Sequence, residues 1–440
     1  MAPLGHLSAK PKAWHALETR GLSLLSAHQQ YWYHTVGLVL ATLLDNAGYS
    51  YRAQVSILYR FAGLVTPTLG RAPDPGFPRW KSFMTDDHTP VELSWDFHTG
   101  AERPTIRYSI EPIALDAGTA ANPNNDRAGA DFKQDLLHAF PETDMTWFNH
   151  FEECFVHNWG DDTPEGHRST VFWAFDLKEK GGTTKAYFFP GTVARATKRT
   201  NLEAVSDAIV DAPGYRAGGV PSFDLFTSYV NRSPDIRFEV DMLALDLVHV
   251  DKSRLKIYFR DRRTDFASVR DSMSLGGQLQ GPDFEEGMKR LKVLWDSLLG
   301  TEGLPEDVPL PHKGHRTAGI LYNIEFRMNS KNPLVKIYIP ARHYAEDDQQ
   351  IIDTLCWYMT EEVGRRRGLP TAAVSARLYS KCMHQAFKSE ALYAKRGVHT
   401  YIGCSIQAGG ELRVVAYMNP QEAKIKRDSP TSNFPYQEML

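Results

Sequence analysis

The sequence predicts an α+β fold in which ten antiparallel strands, arranged as five hairpins, close into a barrel with an outer ring of helices. Three observations predict it. The tripeptides Lys185-Ala-Tyr187, Lys256-Ile-Tyr258 and Lys336-Ile-Tyr338 recur at intervals of 71 and 80 residues, each near the end of an apolar stretch with strand-like alternation. Residues i and i+2 of a strand share a face, so each copy sets an ammonium beside a phenol with aliphatic side chains opposite. Segments of period-two alternation come in pairs, joined by short connections that carry Gly, Pro, Asp or Asn as hairpins require. Between pairs lie about 50 to 60 residues of helix-compatible sequence, so two strands plus helices form a unit repeated about five times.

Helical patterning dominates roughly the first 65 residues, with Trp32, Val36, Val39, Leu40 and Leu43 spaced by three and four on one face; residues 1–80 read as a mainly helical N-terminal part. After Pro73, Pro75 and Pro78 the period changes to two. Strand pairs are expected at about 90–97 with 104–111, 168–177 with 183–189, 239–248 with 253–260, 318–327 with 333–339, and 397–406 with 411–418. Helices are expected at 131–140, 201–211, 283–299 and 350–366. The five units run from about 90 to 420, and residues 1–440 are expected to form a single barrel domain.

Phase decides which face looks inward. In the second strand of each pair one face reads Ile106, Tyr108, Ile110; Ala186, Phe188; Leu255, Ile257, Phe259; Val335, Ile337, Ile339; Leu412, Val414, Ala416. The other reads Arg107, Ser109; Lys185, Tyr187; Arg254, Lys256, Tyr258; Lys336, Tyr338; Arg413, Tyr417. Helices on the outside need an apolar face to pack on, which turns the polar, aromatic face into the lumen. Closure removes exposed strand edges, and a ten-stranded barrel is wide enough to hold ligands. The alternative is an open sheet whose polar face meets water.

Composition narrows the function. A formal charge of -3 with no block of like charges argues against nucleic-acid partners and against a polybasic membrane anchor. The longest mostly apolar run, 37–44, is too short to span a bilayer. Cys154, Cys356, Cys382 and Cys404 form no CxxC pair or zinc spacing and read as reduced thiols of a cytoplasmic protein. No GxGxxG, GxxxxGK[ST], HExxH or GxSxG motif is present. Nor is there an Asp-Asp-x-x-Asp run to hold magnesium; the pairs Asp161-Asp162 and Asp347-Asp348 lack a third carboxylate and fall in loop-like sequence. No metal site is expected.

Arg107, Lys185, Arg254, Lys256 and Lys336 would bring five cations into one cavity. Uncompensated buried charge of one sign is costly, so the cluster implies an anionic ligand, and a diphosphate matches it in charge and hydrogen-bond demand. The tyrosines add hydroxyl donors and ring faces that stabilise a cation. That combination suits ionisation of an allylic diphosphate and protection of the carbocation from water. Glu92 is a lone carboxylate on the polar phase; it either accepts a hydrogen bond from an aromatic acceptor or bridges to Arg107 across the hairpin. Asp96 and Asp176 share that phase but equally suit strand ends or turns, and His98, beside the Thr99-Gly100 turn, reads as a solvated loop histidine.

These residues resemble the fungal aromatic prenyltransferases of the dimethylallyltryptophan synthase type, from about Trp32 to Pro420. The resemblance rests on Glu92 with its Ser-Trp neighbours, Thr105-Ile-Arg107-Tyr-Ser-Ile-Glu-Pro112, Lys185-Ala-Tyr-Phe-Phe-Pro190, Ser253-Arg-Leu-Lys-Ile-Tyr258, Lys336-Ile-Tyr338, His399-Thr-Tyr-Ile402 and Tyr417-Met-Asn-Pro420. It implies the αββα prenyltransferase barrel. It also implies that Arg107, Lys185, Arg254 and Lys256 bind the diphosphate of dimethylallyl diphosphate, with Lys336 where relatives often carry Gln. Tyr187, Tyr258, Tyr338, Tyr401 and Tyr417 would bind phosphate or screen the cation, and Glu92 would hold an indole N–H. The implied reaction is an electrophilic aromatic substitution with no cofactor and no magnesium, the partners being a prenyl diphosphate and a small aromatic acceptor. A homodimer is compatible with it.

Departures bear on the acceptor. Relatives that alkylate carbon 4 of tryptophan carry a lysine, proposed as the final base, where this chain has Phe172; Ser109 and Ile406 would also reshape the pocket. These changes put carbon-4 alkylation of tryptophan in doubt, and a tryptophan derivative or a larger, less polar acceptor such as a tryptophan-containing cyclic dipeptide is expected rather than free tryptophan. Prenylation of a phenolic acceptor, a non-catalytic barrel carrier of an anionic aromatic ligand and a phosphate-ester hydrolase are the alternatives.

Overall fold

The computed structural model describes residues 10–20, 25–74, 77, 80–156, 167–215, 220–232, 238–327, 330, 331, 333–394 and 396–420. Pro75, Pro78 and the Asp161-Asp162 pair lie outside them. Ten strands form one closed barrel: β1 (Val91–His98), β2 (Thr105–Ile110), β3 (Val171–Leu177), β4 (Gly182–Phe188), β5 (Glu239–Asp246), β6 (Leu255–Asp261), β7 (Ile320–Phe326), β8 (Leu334–Ile339), β9 (His399–Ile406) and β10 (Leu412–Met418). Each strand pairs antiparallel with its sequence neighbours, and β10 closes on β1. The five expected pairs are therefore present, each boundary within three residues. Hairpin turns gather at one end of the barrel, and the helical connections leave from the other.

The phase is the predicted one. Ile106, Ile110, Phe188, Ile257, Phe259, Ile337, Val414 and Ala416 point outward and are fully buried under helices. The packing is largely aromatic: Phe148 stacks on Trp173 at 4.7 Å, and Phe226 packs on Phe259 at 5.2 Å. Helices span Ala128–Ala139, Thr146–Phe155, Asn201–Val210, Pro221–Arg232, Phe266–Ser274, Pro282–Leu299 and Pro370–Ala386. Local chemistry sets their starts: Thr200 and Glu203 form a reciprocal capping box, and Asp265 accepts the Ser268 amide. In the N-terminal part, Trp32, Val36, Val39, Leu40 and Leu43 form the buried face expected of them.

The helix expected at 350–366 begins earlier, at Asp348, and passes at Tyr358 into a π-helical stretch that ends at Arg365. This corrects the loop reading of the Asp347-Asp348 pair. Asp347 caps the helix by accepting the Gln350 amide at 2.8 Å. Asp348 is fully buried and accepts the amides of Val398 (3.0 Å) and His399 (2.8 Å), tying the helix to the start of β9. The carboxylate also faces the His399 ring at 3.0 Å. An Asn in its place keeps one accepting oxygen and turns an NH2 toward a donor. Asp348→Asn is expected to cost about 2 kcal/mol in urea unfolding; a loss below about 0.5 kcal/mol would contradict the role given to this carboxylate.

Candidate active site

From the hairpin end to the helix end the lumen is built in tiers. Nearest the hairpins is an ionic tier. Arg107 pairs with Asp96 and places Nε 2.9 Å from Asp176. Lys185 donates to both Asp176 oxygens at 2.6 and 2.7 Å. Arg254 pairs with Asp246 and lies 3.2 Å from Glu325, while Lys256 donates to Asp246 at 3.3 Å. Arg413 closes the ring onto Asp96 at 3.0 Å. Register explains these meetings: Arg107 lies directly opposite Asp176, while Lys185 and Lys256 lie opposite Ala174 and Ala244 and reach diagonally to the carboxylate two residues further along the same strand, Asp176 and Asp246.

Two expectations change here. The cations are not uncompensated, because neighbouring strands supply carboxylates to four of the five predicted. Asp96 and Asp176 are lumen counter-ions rather than turn residues. Burial raises the pKa of both, but the adjacent Arg107 and the cations of Arg413 and Lys185 prevail and hold them well below the usual carboxylate range. Burial lowers Lys185 to about 8 despite Asp176 beside it.

Lys336 is the exception in the tier. No carboxylate among the described residues lies within ion-pair distance; Nζ donates to Tyr417 Oη at 2.8 Å and sits 4.6 Å from the Tyr338 ring centre. Burial and the nearby Arg107 push its pKa well below that of an ordinary lysine. Gly403 makes its space, since a Cβ there would fall 2.7 Å from Lys336 Cε.

The middle tier is aromatic. Phe172 stacks on Tyr187 at 4.2 Å, Tyr187 meets Tyr258 at 5.8 Å, and Tyr258 meets Tyr338 at 5.7 Å. Tyr417 and Tyr401 flank Tyr338 at 5.5 and 6.2 Å. Asn323 donates to the Tyr338 hydroxyl at 2.8 Å. Burial lifts Tyr187, Tyr338 and Tyr417 far above the ordinary phenol range, so these rings stay neutral and can donate hydrogen bonds.

Below the rings lies a cavity of about 140 Å³ lined by Glu92, Ser109, Phe172, Tyr187, Tyr258, Tyr338, Tyr401 and Tyr417 among others. Glu92 lies opposite Ser109 in the register and accepts the Thr400 hydroxyl at 2.7 Å. The bridge to Arg107 does not form, because Arg107 pairs with Ser94 in the register and with Asp96 and Asp176 through its side chain. Burial raises Glu92 to about 7, against the lowering influence of Thr400, Arg342 and Lys336. Tyr401 sits at the helix-end rim, near Arg342, rather than in the ionic tier. His98 is mostly buried and pairs with the Thr105 hydroxyl at 2.8 Å, so the solvated-loop reading does not hold.

Sequence reasoning missed the rim arginines Arg260, Arg316 and Arg342. Arg260 was legible, since it continues the inward phase of Lys256 and Tyr258. Arg316 and Arg342 lie in connections, where no periodicity announces them.

This arrangement can hold an allylic diphosphate against the ionic tier, enclose its prenyl group in aromatic rings and set an aromatic acceptor over Glu92. Comparison with known proteins gives the family. Residues 28–368 match the family model described as tryptophan dimethylallyltransferase. The chain is 34% identical over 409 residues to a 4-O-dimethylallyl-L-tyrosine synthase of Claviceps purpurea, covering 91% of this chain and 90% of that one. It is 32% identical to a 7-dimethylallyltryptophan synthase of Aspergillus fumigatus, covering 88% and 84%. Among solved structures, AnaPT from Neosartorya fischeri superposes with a TM-score of 0.77 at 22% identity, covering 94% of this chain and 100% of that chain. A barrel of this topology with a family match over most of its length leads to one conclusion: the chain belongs to the tryptophan dimethylallyltransferase family of aromatic prenyltransferases.

Proposed function

We propose that the protein transfers the dimethylallyl group of dimethylallyl diphosphate to an indole-bearing acceptor, without a divalent metal. The observation that carries this reading is the order of tiers in one lumen: cations, then tyrosines, then Glu92. The allylic C–O bond breaks heterolytically, and the electron pair leaves with the diphosphate. Arg107, Lys185, Arg254 and Lys256 stabilise that charge, with Lys336 and the tyrosine hydroxyls as further donors. They exchange carboxylate partners for phosphate oxygens, so little reorganisation is needed. Tyr187, Tyr258, Tyr338 and Tyr417 surround the cation with electron-rich faces and keep water away. Tyr401, at the rim, would screen it from the acceptor side.

Glu92, as carboxylate, accepts the ring N–H and raises electron density in the indole, which attacks the cation; loss of a proton restores aromaticity. Phe172 supplies no base at its position and instead forms an apolar wall of the acceptor pocket beside Ser109. A phenolic acceptor is the second reading. Glu92, raised to about 7, accepts a phenol O–H as readily as an indole N–H, and one relative is named for O-prenylation of tyrosine.

Lys185→Ala or Lys256→Ala is expected to weaken binding of a prenyl thiolodiphosphate by about tenfold or more, roughly 1.4 kcal/mol, in calorimetric titration. Unchanged affinity in both variants would remove the ionic tier from donor binding. Glu92→Gln is expected to lower kcat/KM for the acceptor about 100-fold while donor affinity stays near that of the unmodified protein. Because the ionised carboxylate is the working form, kcat/KM should fall as pH drops through about 7, the value burial gives Glu92, and Glu92→Gln should abolish that limb. An identical pH profile in the variant would reassign the limb to another group.

A further inference from the structure

Outside the barrel lies a second cavity, of about 460 Å³ against about 140 Å³ for the one over Glu92. It lies at a gap in the outer helical layer: the helix Ala128–Ala139 has ended, the helix Thr146–Phe155 has not begun, and the helix Tyr51–Arg60 with its π-helical continuation to Val65 supplies another wall. Its floor is the outward face of β2 and β3, where Tyr108 lies opposite Phe175 with the rings 4.9 Å apart. Ile57, Leu64, Phe140 and Leu247 add apolar walls, and Leu64 and Phe140 are only half-buried there. Size and lining are those of a small-molecule site.

The polar groups are few, and three of them lack partners. Tyr108 is 4% exposed, yet its hydroxyl has no hydrogen-bond partner among the described residues. Burial raises its pKa, against the lowering influence of Arg60, so it is a neutral donor near that guanidinium. Arg60 is half-buried, donates to the Ser56 hydroxyl at 2.8 Å and lies over the Phe140 ring at 5.5 Å, with no carboxylate within 4.0 Å among the described residues. Lys252, exposed at the cavity, has no ion pair among them either, and Glu142 is its counterpart of opposite sign. The other charged groups of the lining are engaged. Asp144 accepts the Thr146 amide at 2.9 Å, His249 faces Asp251 at 3.3 Å, and the Asp176 carboxylate is held by Arg107 and Lys185. Two cations without partners thus face one such carboxylate, and Arg60, the more buried of the two, sits against aromatic rings. That balance suits a monoanion.

A buried phenol and a half-buried guanidinium without acceptors are costly, and a ligand bringing oxygen atoms removes the cost. A flat apolar body would pack on Tyr108, Phe140 and Phe175, while the two oxygens of a carboxylate meet the Arg60 fork and the Tyr108 hydroxyl. Arg107 and Asp176, the inward neighbours of Tyr108 and Phe175 on the same strands, put this cavity one sheet thickness from the ionic tier.

We propose that this cavity is a second ligand site, on the outer wall of the barrel, for a small aromatic carboxylate. The inference is independent of the prenyl-transfer reading.

Crystals of the full chain soaked with para-bromophenylpropanoate test it, with bromine located by its anomalous signal, beside calorimetric titration of phenylpropanoate and of its amide. The expected result is a bromine peak among Tyr108, Phe140 and Phe175 with the carboxylate on Arg60. The acid should bind roughly tenfold or more tighter than the amide, the span for hydrogen bonds to a charged group. Arg60→Ala should erase that preference and Tyr108→Phe should weaken the acid severalfold, while affinity for a prenyl thiolodiphosphate stays that of the unmodified protein. Bromine in the lumen alone, no ordered bromine, binding at crystal concentration only, or an acid preference that survives Arg60→Ala overturns the site.

Discussion

The structure depends on how basic side chains are accommodated inside a closed barrel. Once the strands turn their aliphatic face out to the helices, the residues between them must point in, and these include Arg107, Lys185, Arg254, Lys256, Lys336 and Arg413. Six basic groups in a lumen would be prohibitive without counter-charge. The strands supply it: Asp96 from β1, Asp176 from β3, Asp246 from β5 and Glu325 from β7. Each comes from the first strand of a hairpin, and the basic residues come from the second. Alternation of acid and base around the barrel follows from the hairpin repeat.

An alternating ring is also a preorganised one. The cations are held by short contacts before any ligand arrives, and their number exceeds that of the carboxylates. A diphosphate entering the proposed donor site would find fixed donors rather than mobile lysines, which is where electrostatic stabilisation of a leaving group is most effective. The aromatic tier then separates two electrostatic regions. On one side the lumen favours a multivalent anion; on the other Glu92 presents a single acceptor whose own pKa burial has brought to about 7. Large rings fit because small residues alternate with them: Ala244 lies opposite Tyr187 and Lys256, and Gly403 opposite Tyr338.

Most of the barrel was legible in the sequence because period-two alternation and hairpin turns are local signals. Pairing within each hairpin, the inward phase of the Lys-x-Tyr copies and the placing of Glu92 all follow from them. Pairing between hairpins does not, since 50 to 60 residues of helix intervene. That is why Asp176 could be put on the correct face and still not be matched to Arg107. The same gap hid the partner of Glu92, Thr400, which comes from a strand 308 positions away. Asp348 was misread because its hydrogen bonds lie at the start of β9, far along the chain. Arg316 and Arg342 belong to connections, where residue type alone carries no position.

The central claim is that the paired cations of the ionic tier are the site of the prenyl diphosphate. A crystal structure of the protein soaked with dimethylallyl thiolodiphosphate tests it most directly. The account predicts phosphate oxygens within hydrogen-bond distance of Lys185, Lys256, Arg107 and Arg254, with the prenyl group among Tyr187, Tyr258 and Tyr338. Diphosphate bound elsewhere, with the contacts of Lys185 to Asp176 and of Lys256 to Asp246 intact, would contradict it.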